Sequence, residues 1–139
     1  MWNNGDMNVL TLLLPKAEVD HIESGDTVRQ AISKLNYHHY GALPVLSKQG
    51  HYLYSVSTSD LLYFMAERDL SLQEAENVAV DEVPIFRPNP SLPVTASLRD
   101  IHLKLLDQNY CPLVDDNGIF VGIITRKGFV SKAMRLVEE

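Results

Sequence analysis

The sequence predicts an α+β fold built from one helix–strand–strand–helix unit used twice, and three observations carry that expectation. The stretch "GALPVLSKQGHYLYSVSTSDLL" (41–62) lies over "NYCPLVDDNGIFVGIITRKGFV" (109–130) at a constant offset of 68 residues. Pro44 falls on Pro112, Gly50 on Gly118, Tyr52 on Phe120, Val56 on Ile124 and Ser57 on Thr125. Upstream, "TVRQAISKL" (27–35) lies over "SLRDIHLKL" (97–105) at an offset of 70, so the first copy carries two extra residues between helix and strand. Each copy also switches from helical apolar spacing to short apolar runs at the same place.

The elements follow in order. An extended piece opens each copy, "EVDHIES" in the first and "NPSLPVT" in the second. Thr27-x-x-Gln30 and Ser97-x-x-Asp100 are capping-box patterns, in which a hydroxyl satisfies the unpaired N–H groups of a helix start. Val28, Ala31, Ile32 and Leu35 then share one helical face, as do Leu98, Ile101 and Leu105. "ALPVL" and "YLYSVS" read as a strand pair around "SKQG"; "CPLV" and "IFVGIIT" pair around "DDNG". Glycine in both turns suits the positive φ such connections need. "SDLLYFMAERD" and "RKGFVSKAMRLV" close the two copies as helices. Between the copies, Ser71-x-x-Glu74 starts a short helix, and Pro84, Pro88 and Pro90 mark a connector that cannot continue it. The expected division is an apolar N-terminal helix or leader over 1–14, a first repeat over 15–69, a linker over 70–88 and a second repeat over 89–139.

Composition narrows the function. A formal charge of −6, with no basic block longer than Arg126-Lys127, argues against a nucleic-acid partner, which needs a basic face to displace phosphate counterions. The run "VLTLLLP" is far below the ~18 apolar residues of a membrane span. No positive charge precedes it as in a signal peptide. The single cysteine, Cys111, excludes an internal disulfide, so a cytoplasmic protein with no membrane partner is expected. The five histidines lack ligand spacing, so no metal site is expected, and no nucleophile–base pair is apparent, so no enzyme. Thr125-Arg126-Lys127 stands out instead. It places a hydroxyl and two cations at a strand-to-helix junction, where cations oppose the helix dipole unless an anion is present.

A doubled unit ending in "YSVSTSD" (54–60) and "GIITRKG" (122–128) resembles the CBS domain pair, or Bateman module. Tyr54 replaces the family's glycine in the first motif, and Gly128 its frequent aspartate in the second. "EVDHIESG", "YGALPVL" and "GIITRK" are similar to the small stand-alone CBS-pair proteins of Gram-positive bacteria that bind cyclic di-AMP. The resemblance implies repeats related by a pseudo-twofold axis, capped by the N-terminal helix, with two ligand clefts that each draw on both copies. One would use Asp20, His21, Ile22, Tyr40, Gly41, Ala42, Ile124, Thr125, Arg126 and Lys127. The other would use Leu92, Asn109, Tyr110 and Cys111 with Ser57, Thr58 and Asp60. It further implies a regulatory protein with no cofactor, homodimeric through its helices and acting on a partner enzyme such as an alarmone synthetase. In the first cleft, Tyr40 can stack on a purine while Arg126 grips phosphate. In the second, Asp60 suits a ribose with free hydroxyls, yet it equally suits a helix cap. Cyclic di-AMP, whose ring offers no free 3′-hydroxyl, is the ligand expected. An AMP/ATP energy sensor and a ligand-free interaction module are the alternatives.

Overall fold

The computed structural model describes residues 8–138. In chain order its strands and α-helices are β1 (Leu14–Pro15), β2 (Ile22–Glu23), α1 (Val28–His38), β3 (Ala42–Leu46), β4 (Tyr52–Ser57), α2 (Thr58–Arg68), β5 (Leu92–Pro93), α3 (Leu98–Asp107), β6 (Tyr110–Val114), β7 (Phe120–Thr125) and α4 (Arg126–Glu138). They fall into two compact units. One is Asp20–Pro88; the other joins the stretch up to Val19 with everything from Asn89 onward.

The Asp20–Pro88 unit holds the sheet β2-β3-β4, with β2 parallel and β4 antiparallel to β3. Thr27 caps α1 through a reciprocal box with Gln30, at 3.1 Å and 2.8 Å. Val28, Ala31 and Leu35, the predicted apolar face, are buried against Ile22, Leu43, Val45 and Val56. Residues 70–88, expected as a linker, belong to this core: Ala75, Val80 and Val83 are buried in it. Backbone bonds from Val28 N to Val78 O and from Val80 N to Asp26 O sew the segment to the start of α1. The prolines end helices here without freeing the chain. The helix expected behind Ser71 is a 3-10 turn, Glu74–Asn77, with Ser71 and Glu74 bonded reciprocally.

The other unit repeats the plan, with β5 parallel and β7 antiparallel to β6. Both strand pairs shift register at equivalent places, after Val45 and after Leu113. The two turns also match bond for bond: Gly50 N donates to Ser47 O, and Gly118 N to Asp115 O, with φ of 92° and 80° at the glycines.

The N-terminal expectation is corrected. Its first seven residues lie outside the described ones. Of the rest, Val9–Leu12 form a 3-10 turn capped by Asn8, and Leu14 enters a strand. Proline at 15 disfavours helical geometry at Leu14, so the apolar run cannot stay helical. β1 pairs with β7, Leu14 beside Ile123 and Pro15 beside Gly122, while Val9, Leu12 and Leu13 pack on the core of Ala96, Leu98, Ile101, Leu113 and Ile124. The segment up to Val19 therefore packs in the compact unit that holds the second repeat.

This pairing accounts for Gly122. A Cβ built there would lie 2.2 Å from the Leu14 carbonyl oxygen, so only glycine admits β1 at this distance. The equivalent Tyr54 lies in a unit where β4 has no such strand beyond it. Instead Ser55 N donates to Pro88 O, and the Tyr54 hydroxyl donates to Asp81 at 3.1 Å. Burial first, and the Asp81 carboxylate second, push that phenol well above its ordinary value.

Candidate functional site

The two motif helices start differently. At α2, Ser57 Oγ accepts from Asp60 N, and Asp60 Oδ2 accepts from Ser57 N, both at 3.0 Å. The other oxygen, Oδ1, accepts from Phe86 N at 3.2 Å, and Asp60 is buried. This carboxylate is committed to a cap and to holding the 84–88 segment, so capping is the role its geometry assigns. Thr58 lies by the β3 lead-in, its backbone N donating to Gly41 O and its hydroxyl 3.4 Å from the carbonyls of Tyr40 and Gly41.

At α4 the hydroxyl half of the cap is kept, with Gly128 N donating to Thr125 Oγ1 at 2.9 Å. Glycine has no carboxylate to complete the box, and the first turn contains no acid. Arg126, Lys127 and the helix dipole therefore present one sign of charge, while the Thr125 hydroxyl still has a proton to donate.

Arg126 carries a second task. Its Nε donates to Leu105 O at 2.7 Å and its Nη2 to Gln108 O at 3.0 Å, both at the end of α3. The two residues missing from the second repeat explain this. α1 ends on His39 in the left-handed conformation, φ 55°, whose N–H turns back onto the carbonyls of Leu35 and Asn36. α3 runs straight into extended backbone at Gln108, φ −136°, with no such turn. A guanidinium replaces the missing cap. Two of its five N–H groups are used in this way, and the rest of the fork is left for an acceptor.

In the other unit, Asp20, His21, Ile22, Tyr40, Gly41 and Ala42 stand around the β2 lead-in and the start of β3. Ile22 is buried, Ala42 is partly so, and Tyr40 and Gly41 are exposed. Asp20 is a hub. Its Oδ1 accepts from His21 N at 2.8 Å, its Oδ2 lies 2.7 Å from His38 Nε2, and Lys34 Nζ is 3.9 Å away. Lys34 also donates to His21 O at 2.6 Å. Neither Lys34 nor His38 is among the residues expected at this site. Their spacing of four residues on α1, with Asp20 upstream, was the available signal.

Burial pushes the Asp20 carboxyl up, but the His21 N–H, the His38 ring and the charges of Lys34 and His38 outweigh it and hold it below its ordinary value. The folded chain therefore binds this proton less tightly than the unfolded chain does. The resulting stability is complete above about pH 4 and is lost as pH falls through the lower folded value. Asp20→Asn is expected to cost about 1 kcal/mol near neutrality, a figure reduced for its partial exposure. The gap from wild type should narrow below about pH 4 in urea melts followed by circular dichroism.

Leu92, Asn109, Tyr110 and Cys111 lie along β5 and the start of β6. Tyr110 and Cys111 are buried, and Asn109 O accepts from Arg126 N at 2.8 Å. Burial, the largest effect, pushes the Cys111 thiol up to about 11 despite a nearby Lys104. A thiol held protonated is a poor nucleophile. Native protein is expected to react with a disulfide reagent at pH 8 at least ~100-fold more slowly than denatured protein, measured by absorbance. Among the described residues no group of His, Cys, Asp and Glu is placed to hold a metal. No helix among them is long and apolar enough to cross a membrane.

Comparison with known families decides the lineage, since the CBS domain model matches residues 14–67 and again 80–135. The chain belongs to the CBS domain family. It is a CBS pair, and its solved neighbours share the fold over nearly the whole chain. A CBS domain protein from Streptococcus pneumoniae superposes with a TM-score of 0.85 at 21% identity, covering 98% of this chain and 96% of that one. The CbpB protein of Listeria monocytogenes, in complex with c-di-AMP, gives 0.83 at 19%, covering 98% of each. CBSX2 in complex with AMP gives 0.72 at 23%, covering 92% and 96%. No curated protein matches the sequence.

Proposed function

We propose that this CBS pair is a non-catalytic, cytoplasmic receptor for an adenine nucleotide, cyclic di-AMP in preference to AMP or ATP, that regulates a partner enzyme. The observation that carries this is the contrast between the helix starts. The α4 start has Thr125, Arg126 and Lys127 with no carboxylate, whereas at α2 the Asp60 carboxylate is buried and doubly occupied. The first suits a phosphodiester; the second is buried and already holds a backbone N–H on each oxygen, which disfavours a ribose there. A neighbour of the same fold that is complexed with c-di-AMP supports the choice. In this reading Thr125, Arg126 and Lys127 serve the phosphate. Asp20, His21, Ile22, Tyr40, Gly41 and Ala42 serve the base, with Ile124 as apolar backing. Ser57, Thr58, Asp60, Leu92, Asn109, Tyr110 and Cys111, implied as a second cleft, remain structural.

The chain acts as a homodimer through its helices. Supporting this, Leu106, Val130, Met134 and Val137 of α3 and α4 are 51–69% exposed beside a groove lined by His102, Leu105 and Phe129. The ligand shifts the population of conformations that the partner, an alarmone synthetase by the resemblance, can bind.

Calorimetric titration with cyclic di-AMP, AMP, ATP and cyclic di-GMP tests the reading. Micromolar or tighter binding of cyclic di-AMP, unchanged in Asp60→Ala, is expected. AMP or ATP binding lost in Asp60→Ala would make the chain an energy sensor. Silence from all four would leave a ligand-free interaction module.

A further inference from the structure

Tyr40 is 48% exposed, a large share for an aromatic ring next to a core strand. One of its faces is nevertheless covered. The His38 ring lies parallel to it, 8° between planes and 4.9 Å between centroids. Tyr37 meets the edge of the same imidazole at 88° and 4.9 Å. The stack is possible because His39 adopts φ 55°, turning the chain so that residues 38 and 40 fall on one side. Asp20 Oδ2, 2.7 Å from Nε2, anchors the imidazole to the β2 lead-in. Lys34 holds that lead-in through His21 O.

We infer that His38 is a positioning residue for the nucleotide base: backed by Asp20, it holds the Tyr40 ring so that the uncovered face receives a purine. This rests on the reading that the base stacks on Tyr40, and it adds the residue that orients the platform. An exposed tyrosine free to rotate loses rotamer freedom when a base settles on it; one already stacked has lost it beforehand. Holding the ring beforehand spares that loss, which is worth roughly three- to tenfold in affinity. The groups facing the imidazole are Asp20, Lys34, Tyr37 and Tyr40.

The test measures cyclic di-AMP affinity for wild type, His38→Ala, His38→Phe and Tyr40→Ala, each first checked for native melting. His38→Ala is expected to bind about three- to tenfold more weakly than wild type. His38→Phe keeps an aromatic ring in the stack without the bond to Asp20, so it should recover most of the affinity. Wild-type affinity in both His38 variants, with Tyr40→Ala impaired, would overturn the positioning role and leave the receptor reading intact. Full binding by Tyr40→Ala would overturn the platform itself. Absence of binding by wild type would remove the receptor reading and this inference together.

Discussion

Gly122→Ala is expected to strip β1 from β7 and to cost about 3 kcal/mol, near the upper end for forcing extra volume into a packed site. The added Cβ would meet the Leu14 carbonyl oxygen at 2.2 Å and the Leu13 Cδ1 at 2.9 Å. The first neighbour is backbone, which cannot rotate aside as a side-chain tip can. The backbone φ of 153° at Gly122 adds strain for any L side chain. Relief requires Leu14 and Pro15 to leave the strand edge, and Leu13, Leu12 and Val9 then lose their contact with the core below them. Thermal unfolding should fall by about 10 °C, since 1 kcal/mol shifts a domain of this size by several degrees. Hydrogen exchange should show the amides of residues 9–14 unprotected while β6 stays protected. Tyr54→Gly, the equivalent position, should instead leave 9–14 protected, because among the described residues no strand lies beyond β4. A Gly122→Ala protein as stable as wild type would mean that β1 does not hold this edge.

Arg126→Ala should produce two separable losses. Without ligand, the carbonyls of Leu105 and Gln108 lose their donors, and the C-terminal turn of α3 should fray at a cost of about 1–2 kcal/mol. Hydrogen exchange over residues 103–108 would register this. With ligand, loss of a charged fork is worth about 2–3 kcal/mol, so cyclic di-AMP affinity should fall by about 30- to 150-fold. Arg126→Lys keeps the charge but cannot span two carbonyls and a phosphate, so it should regain less than half of either loss in free-energy terms. Lys127→Ala removes charge alone and should weaken binding only about threefold, the more so at low salt. Wild-type affinity in Arg126→Ala would assign this arginine to the helix end alone and refute its role on the phosphate.

Arg126 also shows why part of this site was legible in the sequence and part was not. A cation at a helix start is a local feature, and the threonine cap beside it is a matter of four residues. That the same guanidinium closes the end of α3 depends on an omission 18 residues upstream. A sequence shows the omission only as a difference in offset. His38 was missed for a related reason. Its role comes from Asp20 across a loop and from Tyr40 across a left-handed residue, and neither adjacency is local in sequence.

The sequence by itself determined the duplicated unit, its four helices, its strand pairs and their glycine turns, because each rests on contacts within a few residues and on one repeated periodicity. The pairing of residues 14–15 with the second repeat's sheet was decided only in three dimensions. So were the absorption of residues 70–88 into the first repeat's core, the double duty of Arg126 and the Asp20–His38–Tyr40 chain. Each of these joins segments distant along the chain, where packing and unpaired backbone groups, rather than local propensity, select the partner.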